Sequence, residues 1–212
     1  LTEEKQLKTG TTTVCITCKD GIVLAADKRV TAGYIANKRF RKILKITDDI
    51  AVTVAGSVSE VQLLARLISA ELKLKDLQTR RTSSVKEAAN LLAGMVFSNF
   101  RRMAMMPPIT GFLLAGRDEK GHHAYEIGID GAIMDVDEFT ADGSGSVFAL
   151  GVLEQDWQKD MSVDEGVKLA THCVNAAIQR DPGSGNGIDV VTITKAGVKT
   201  VLEKELTIRV DE

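Results

Sequence analysis

Thr11-Thr12-Thr13-Val14-Cys15-Ile16-Thr17-Cys18-Lys19-Asp20-Gly21-Ile22-Val23-Leu24-Ala25-Ala26-Asp27 carries the pattern on which the fold turns. Thr12, Val14, Ile16 and Cys18 alternate with Thr11, Thr13, Cys15 and Thr17, the period of a strand with two distinct faces. Asp20-Gly21 is a hairpin signal, and the apolar run Ile22–Ala26 reads as the return strand. The loop length decides what faces what. A two-residue Asp20-Gly21 loop sets Asp27 opposite Val14, whereas a three-residue loop with Gly21 as a bulge sets Thr13 opposite Asp27 and Thr11 opposite Arg29. The residues alone do not choose between them.

Outward from this hairpin, strands are expected at Lys42–Ile46 and Ile50–Ala55. The period then changes. Val61, Leu64, Ala65, Ile68 and Leu72 form one helical stripe, and Ala88, Leu91, Leu92 and Met95 form another. Ser57-x-x-Glu60 and Ser84-x-x-Glu87 read as capping boxes, and Pro107-Pro108 as the end of the second helix. Strands resume at Thr110–Ala115, His123–Ile129 and Ala132–Met134. Gly143-Ser144-Gly145-Ser146 opens a third helix running from Val147 to about Trp157, and Ser162-x-x-Glu165 caps a fourth. Ile188–Thr194 and Lys199–Leu202 close the chain as strands. Strands and helices in blocks predict an α+β arrangement of packed antiparallel sheets with helices outside, in one domain without internal repeats.

Composition excludes several classes. A net charge of −2, with Arg39–Lys42 as the densest basic run, gives no electrostatic footprint for nucleic acid. No apolar stretch has bilayer length, and the start at Leu1 lacks the apolar core of a secretory signal, so a cytoplasmic protein is expected. Three cysteines suit a reducing compartment. Cys15-x-x-Cys18 does not read as a metal pair, because residues three apart in a strand point to opposite faces. His122, His123 and His172 fit no metal spacing and read as surface or helix residues, while Met95, Met103, Met105 and Met106 read as packing.

Several segments, taken in order, resemble the proteasome β-subunit family of N-terminal-nucleophile hydrolases. They are Thr9-Gly10-Thr11-Thr12-Thr13-Val14, Leu24-Ala25-Ala26-Asp27-Lys28-Arg29, Ala55-Gly56-Ser57-Val58, Gly143-Ser144-Gly145-Ser146, Gly151-Val152-Leu153-Glu154, and Gln179-Arg180-Asp181 followed by Ser184-Gly185. The likeness runs from about residue 9 to about residue 203 and is greatest to the archaeal type. It implies a four-layer αββα sandwich. It also implies a propeptide over residues 1–10 ahead of a single domain over 11–212. The implied partners are seven-membered β rings stacked on each other and on α-subunit rings, unfolded polypeptide substrates, and a regulatory ATPase reached through the α ring. No cofactor, metal, nucleic acid or membrane is implied.

A threonine hydroxyl needs a base, and a free α-amine on the same residue, with a pKa of about 7.7–8.0, can serve. Thr11 has no such amine while its nitrogen is bonded to Gly10, so the chain as written reads as a precursor that cuts itself between Gly10 and Thr11. Glycine before the cut permits close approach. The resemblance places Asp27, Lys42, Ser144, Asp181 and Ser184 with Thr11 as the catalytic set. It favours the three-residue hairpin loop, puts Lys42 beside the nucleophile with Asp27 holding its charge, and gives Gly56 the oxyanion N–H. Arg29 and Thr31 are implied at the substrate backbone, and Val30, Leu44 and Val54 in an apolar specificity pocket. The family usually has threonine where this chain has Asp142, and often glycine in place of Cys15. Two rivals are a catalytically silent ring subunit of the same family and a nucleotide-binding protein using Gly143–Gly145 or Gly183–Gly187. Neither glycine segment matches G-x-x-x-x-G-K-[ST], and a complete catalytic set argues against silence.

Overall fold

The computed structural model describes residues 10–102 and 109–206. Its elements run β1 (Thr13–Cys18), β2 (Gly21–Asp27), β3 (Val30–Thr31), β4 (Ile35–Asn37), β5 (Ile43–Lys45), β6 (Ile50–Gly56), α1 (Val58–Thr79), α2 (Val85–Phe100), β7 (Thr110–Asp118) and β8 (Gly121–Ile127). They continue with β9 (Ile133–Asp135), β10 (Phe139–Asp142), α3 (Ser146–Asp156), α4 (Val163–Arg180), β11 (Gly187–Thr194) and β12 (Gly197–Glu205).

Two five-stranded sheets form, β10-β1-β2-β11-β12 and β5-β6-β7-β8-β9, with every pairing antiparallel, while β3 and β4 make a separate ribbon. The distribution of apolar side chains makes the layers. Because strand residues alternate faces, each sheet offers one face to the other sheet and one to a helix pair. Cys15, Leu24, Ala51, Leu113 and Ala115 meet between the sheets. Val14, Ile16, Val23 and Val190 pack outward against Leu169, Cys173 and Val174 of α4 and Leu153 of α3. Val52, Val54, Phe112 and Leu114 pack against Ile68 and Leu72 of α1 and Leu92 of α2. The result is the αββα sandwich, helix pair on sheet on sheet on helix pair.

The hairpin register is neither of the two weighed from sequence. Cys18 pairs with Gly21 and Thr13 with Ala26, so Lys19-Asp20 is the loop and Asp27 comes opposite Thr12, its N–H donating to the Thr12 carbonyl at 3.1 Å. Gly21 supplies no positive-φ bulge. Its missing side chain instead lets β11 close in, since a β-carbon there would lie 2.4 Å from the Ile193 carbonyl oxygen. Asp20 is spent on accepting from the Val163 N–H at the start of α4.

Caps divide similarly. Ser84 with Glu87 and Ser162 with Glu165 form complete capping boxes. Ser57 with Glu60 does not: the Ser57 N–H donates to the Ile109 carbonyl and its hydroxyl shares a hydrogen bond with Ser59. The preceding Gly56, at φ 106, turns the chain onto the start of β7, and Ser57 keeps the extended backbone of an N-cap without a side-chain cap hydrogen bond. Helix α2 ends at Phe100, ahead of Pro107-Pro108, which lie outside the described residues together with Met103, Met105 and Met106. Three short strands carried no sequence signal: β3 and β4, and the edge strand β10, whose four residues pair only with β1. Cys15 and Cys18 fall on opposite faces of β1, the first between the sheets and the second toward α4.

Candidate active site

Five chain segments deliver polar side chains to one end of the sandwich. Thr11 and Thr12 lead into β1. Asp27 ends β2. Lys42 stands just before β5, where its carbonyl accepts from the Val54 N–H of β6 at 2.9 Å and so fixes its place on the second sheet. Ser144 lies between β10 and α3, and Asp181 caps the C-terminus of α4, with Ser184 three residues on. All but Ser144 are buried, Thr12, Asp27 and Ser184 completely.

These groups form two hydrogen-bonded clusters that meet at Thr11. At its hydroxyl, Lys42 Nζ donates to Thr11 Oγ1 (3.0 Å), to the Gly10 carbonyl oxygen (3.1 Å) and to Asp27 Oδ1 (2.7 Å), committing all three ammonium protons. Asp27 is held in turn by backbone N–H groups, Thr12 on Oδ1 and Arg29 and Gly185 on Oδ2, each at 2.9 Å. Thr11 Oγ1 donates to the Gly10 carbonyl at 2.7 Å. Burial pushes the Lys42 pKa below its ordinary value, with Asp27 pulling the other way.

At the nitrogen, the Thr11 N–H donates to Ser144 Oγ at 3.1 Å, and Ser144 donates to Asp181 Oδ2 at 2.6 Å. Ser184 donates to the same oxygen at 2.6 Å and shares a 2.6 Å hydrogen bond with Thr12 Oγ1. The Gly183 N–H closes on Asp181 Oδ1 at 3.0 Å. The Thr11 carbonyl accepts from the Gly145 N–H at 3.1 Å. Arg29 braces the loop that carries Ser184, donating to the Pro182 carbonyl and to Asn186 Oδ1.

Gly10 enters tightly. A β-carbon on it would lie 2.0 Å from Gly183 Cα, and its N–H donates to Thr31 Oγ1 at 2.9 Å. Beside Thr11 and Gly10 a small, largely apolar recess is lined by Val30, Phe40, Val54, Val58 and Val61, with Lys42, Ala55 and Gly56. Leu44 is not in that lining; it is half-buried against the core under α1 and α2. Phe40, Val58 and Val61 are lining residues that sequence reasoning did not single out. Phe40 was obscured by the basic residues around it, and Val58 and Val61 by their membership of a helix.

The Proteasome subunit family model matches residues 7–193. The chain belongs to the proteasome subunit family. This proteasome-family chain is 42% identical to a proteasome subunit beta of Archaeoglobus profundus over 93% of its own length and 90% of the relative's. It is 46% identical to the proteasome subunit beta of Ferroglobus placidus over 88% and 87% of the two chains, and 40% identical to that of Methanocaldococcus vulcanius over 93% and 88%. The family is one of peptidases. No helix among the described residues is long and apolar enough to cross a membrane.

Proposed function

We propose that the chain is a catalytic β subunit of the 20S proteasome core, a threonine endopeptidase of unfolded polypeptides that matures by cutting Gly10–Thr11. The observation that carries this is the convergence on Thr11 Oγ1 of one donor, Lys42, and one acceptor, the carbonyl of the bond to be cut.

In the uncut chain, Thr11 Oγ attacks the Gly10 carbonyl carbon, and Lys42, 3.0 Å away and acting from the neutral amine form that its burial favours, receives the hydroxyl proton. The oxyanion forms where Lys42 already donates to the Gly10 oxygen. The C–N bond breaks as the Thr11 nitrogen gains that proton back from Lys42, leaving an ester that water opens to a Gly10 carboxylate and a free Thr11 amine. Thereafter the amine, held by Ser144, accepts the Oγ proton during attack on a substrate amide and returns it to the leaving amine. The Gly56 N–H takes the oxyanion in this second reaction, where a donor of that kind is worth about 2.7–4 kcal/mol. Thr31, now accepting from the Gly10 N–H, would receive a substrate backbone N–H once the propeptide has gone. The apolar recess selects apolar residues before the cut bond. Assembly is into heptameric rings of identical subunits stacked between α-subunit rings, with an ATPase acting through the latter.

Intact mass of the assembled particle tests this directly. The wild type should lose residues 1–10 and cleave peptides after apolar residues, whereas Thr11→Ala should stay uncut and lose activity by at least about 10³-fold. A wild-type particle that assembles uncut and inert would identify a silent ring subunit instead. Faster cleavage after basic or acidic residues would sink the specificity reading alone.

A further inference from the structure

The loop bearing Ser144 leaves β10 at Asp142, where the resemblance implies threonine. Asp142 stands opposite Thr13 on the face of β1 that looks toward the second sheet. Its Oδ1 accepts from the Gly143 N–H at 2.6 Å. Its Oδ2 lies over Gly111 of β7, where a β-carbon would come within 2.4 Å of it. Gly111 pairs with Ala55, next to Gly56. The second sheet therefore leaves a side-chain-free seat for this carboxyl.

Gly143 in turn lies directly on the nucleophile. It has φ 94, and a β-carbon on it would stand 2.3 Å from the Thr11 carbonyl oxygen and 3.0 Å from Thr11 Cβ. The carboxyl is thus one residue removed from the glycine that lies on Thr11, and two residues before Ser144, which holds the Thr11 nitrogen. Glu126 of β8, engaged by the Thr140 hydroxyl at 2.6 Å, is the charged group that faces Asp142 from the second sheet. Thr13 and Gly111 face it from β1 and β7, and the first turn of α3 carries no charge. Burial raises the Asp142 pKa, opposed by the Gly143 hydrogen bond and reinforced by Glu126.

We propose that Asp142 is a positioning residue whose charge sets the pH at which the freed Thr11 amine becomes a usable base, an inference that rests on Thr11 being the nucleophile. The sign follows from Coulomb's law. A carboxylate stabilises the ammonium form, so wherever Asp142 is ionised the amine keeps its proton to higher pH and activity rises later as pH increases. One charge at this remove in a protein interior displaces the midpoint by about half to one pH unit.

The test is kcat/KM against pH for the assembled, processed particle, with a fluorogenic peptide carrying an apolar residue before the cut bond. Asp142→Asn removes the charge but keeps an oxygen that can accept from the Gly143 N–H. Asp142→Thr removes the charge with a different shape, and covers the case in which the first variant fails to assemble. Both should move the acidic limb to lower pH by about half to one unit, with the plateau little changed. An unmoved limb, or a rate lowered by one factor at every pH, overturns the proposal. Thr11→Ala run alongside separates the two ideas: activity surviving there defeats the nucleophile assignment, whereas an inert Thr11→Ala with an unmoved limb in the Asp142 variants defeats this inference alone.

Discussion

The two sides of Thr11 are built from opposite chemistry. Its hydroxyl faces a cation, Lys42, fixed by a buried carboxylate that backbone N–H groups hold in turn. Its nitrogen faces one neutral hydroxyl, Ser144, which shares the Asp181 carboxylate with Ser184, and the Asp142 carboxyl lies behind the adjoining loop. The first cluster suits a step that loses a proton from oxygen and develops negative charge on a carbonyl. The second suits a group that must be held still while it becomes cationic. A single residue can attack and accept a proton only if its two ends sit in such different surroundings.

The largest effect should come from the hydroxyl side. Lys42→Met leaves Asp27 as an unpaired buried charge, so lost folding and lost chemistry would be confounded. Lys42→Arg is the sharper variant, since guanidinium keeps the charge but does not release a proton in this range. If Lys42 is the acceptor in the uncut chain, Lys42→Arg should leave Gly10–Thr11 intact and lower peptidase activity by about 10³-fold or more. Intact mass and peptide hydrolysis on the assembled particle read both. Normal processing by Lys42→Arg would reduce Lys42 to an electrostatic role and erase the contrast.

The nitrogen side should respond less and later. Asp181→Asn keeps the shape but weakens the hold on Ser144 and Ser184 and removes a carboxylate one hydrogen bond beyond the amine's partner, so the amine is less well oriented and holds its proton less tightly. Processing should go to completion, because no free amine takes part in it, while kcat of the mature particle falls by about tenfold to a hundredfold. KM should hold, because the apolar recess is formed by other residues. A block in processing equal to that of Lys42→Arg would mean the two clusters act as one unit.

How much of this could be read from the chain follows the same division. The layers were legible because alternating and helical stripes of apolar residues decide them locally, as in β1 and in the buried face of α1. Lys42 was not legible from its residue type, since Arg39–Lys42 reads as a solvated basic run; only the pairing of its carbonyl with β6 turns it inward. Asp27 was misplaced by a register argument. It reaches the site because its carboxylate lies alongside the backbone at the end of β2, receiving N–H groups from Thr12, Arg29 and Gly185, and not because it shares the face of Thr11. Ser57-x-x-Glu60 had the letters of a capping box but not its side-chain bonds: the Ser57 N–H goes to the Ile109 carbonyl and its hydroxyl to Ser59. Contacts between segments far apart in sequence decided each of these.

Gly10 gives the smallest expected effect on the mature particle and the cleanest separation of the two reactions. A β-carbon there meets the Gly183 backbone at 2.0 Å, where no flexible side chain can yield, so Gly10→Ala must shift the carbonyl that Thr11 is proposed to attack. Displacing a reacting atom by a fraction of an ångström to an ångström slows a reaction by roughly tenfold to a hundredfold, and the uncut precursor should accumulate accordingly in a time course of intact mass. Yet in the proposed maturation residue 10 leaves with the propeptide. Every subunit that does mature is chemically the wild type, so activity divided by the fraction processed should match wild type. A lasting deficit per processed subunit would show that the packing of Gly10 on Gly183 templates the loop bearing Ser184 before the cut, and that the nitrogen side is assembled by the very segment it later discards.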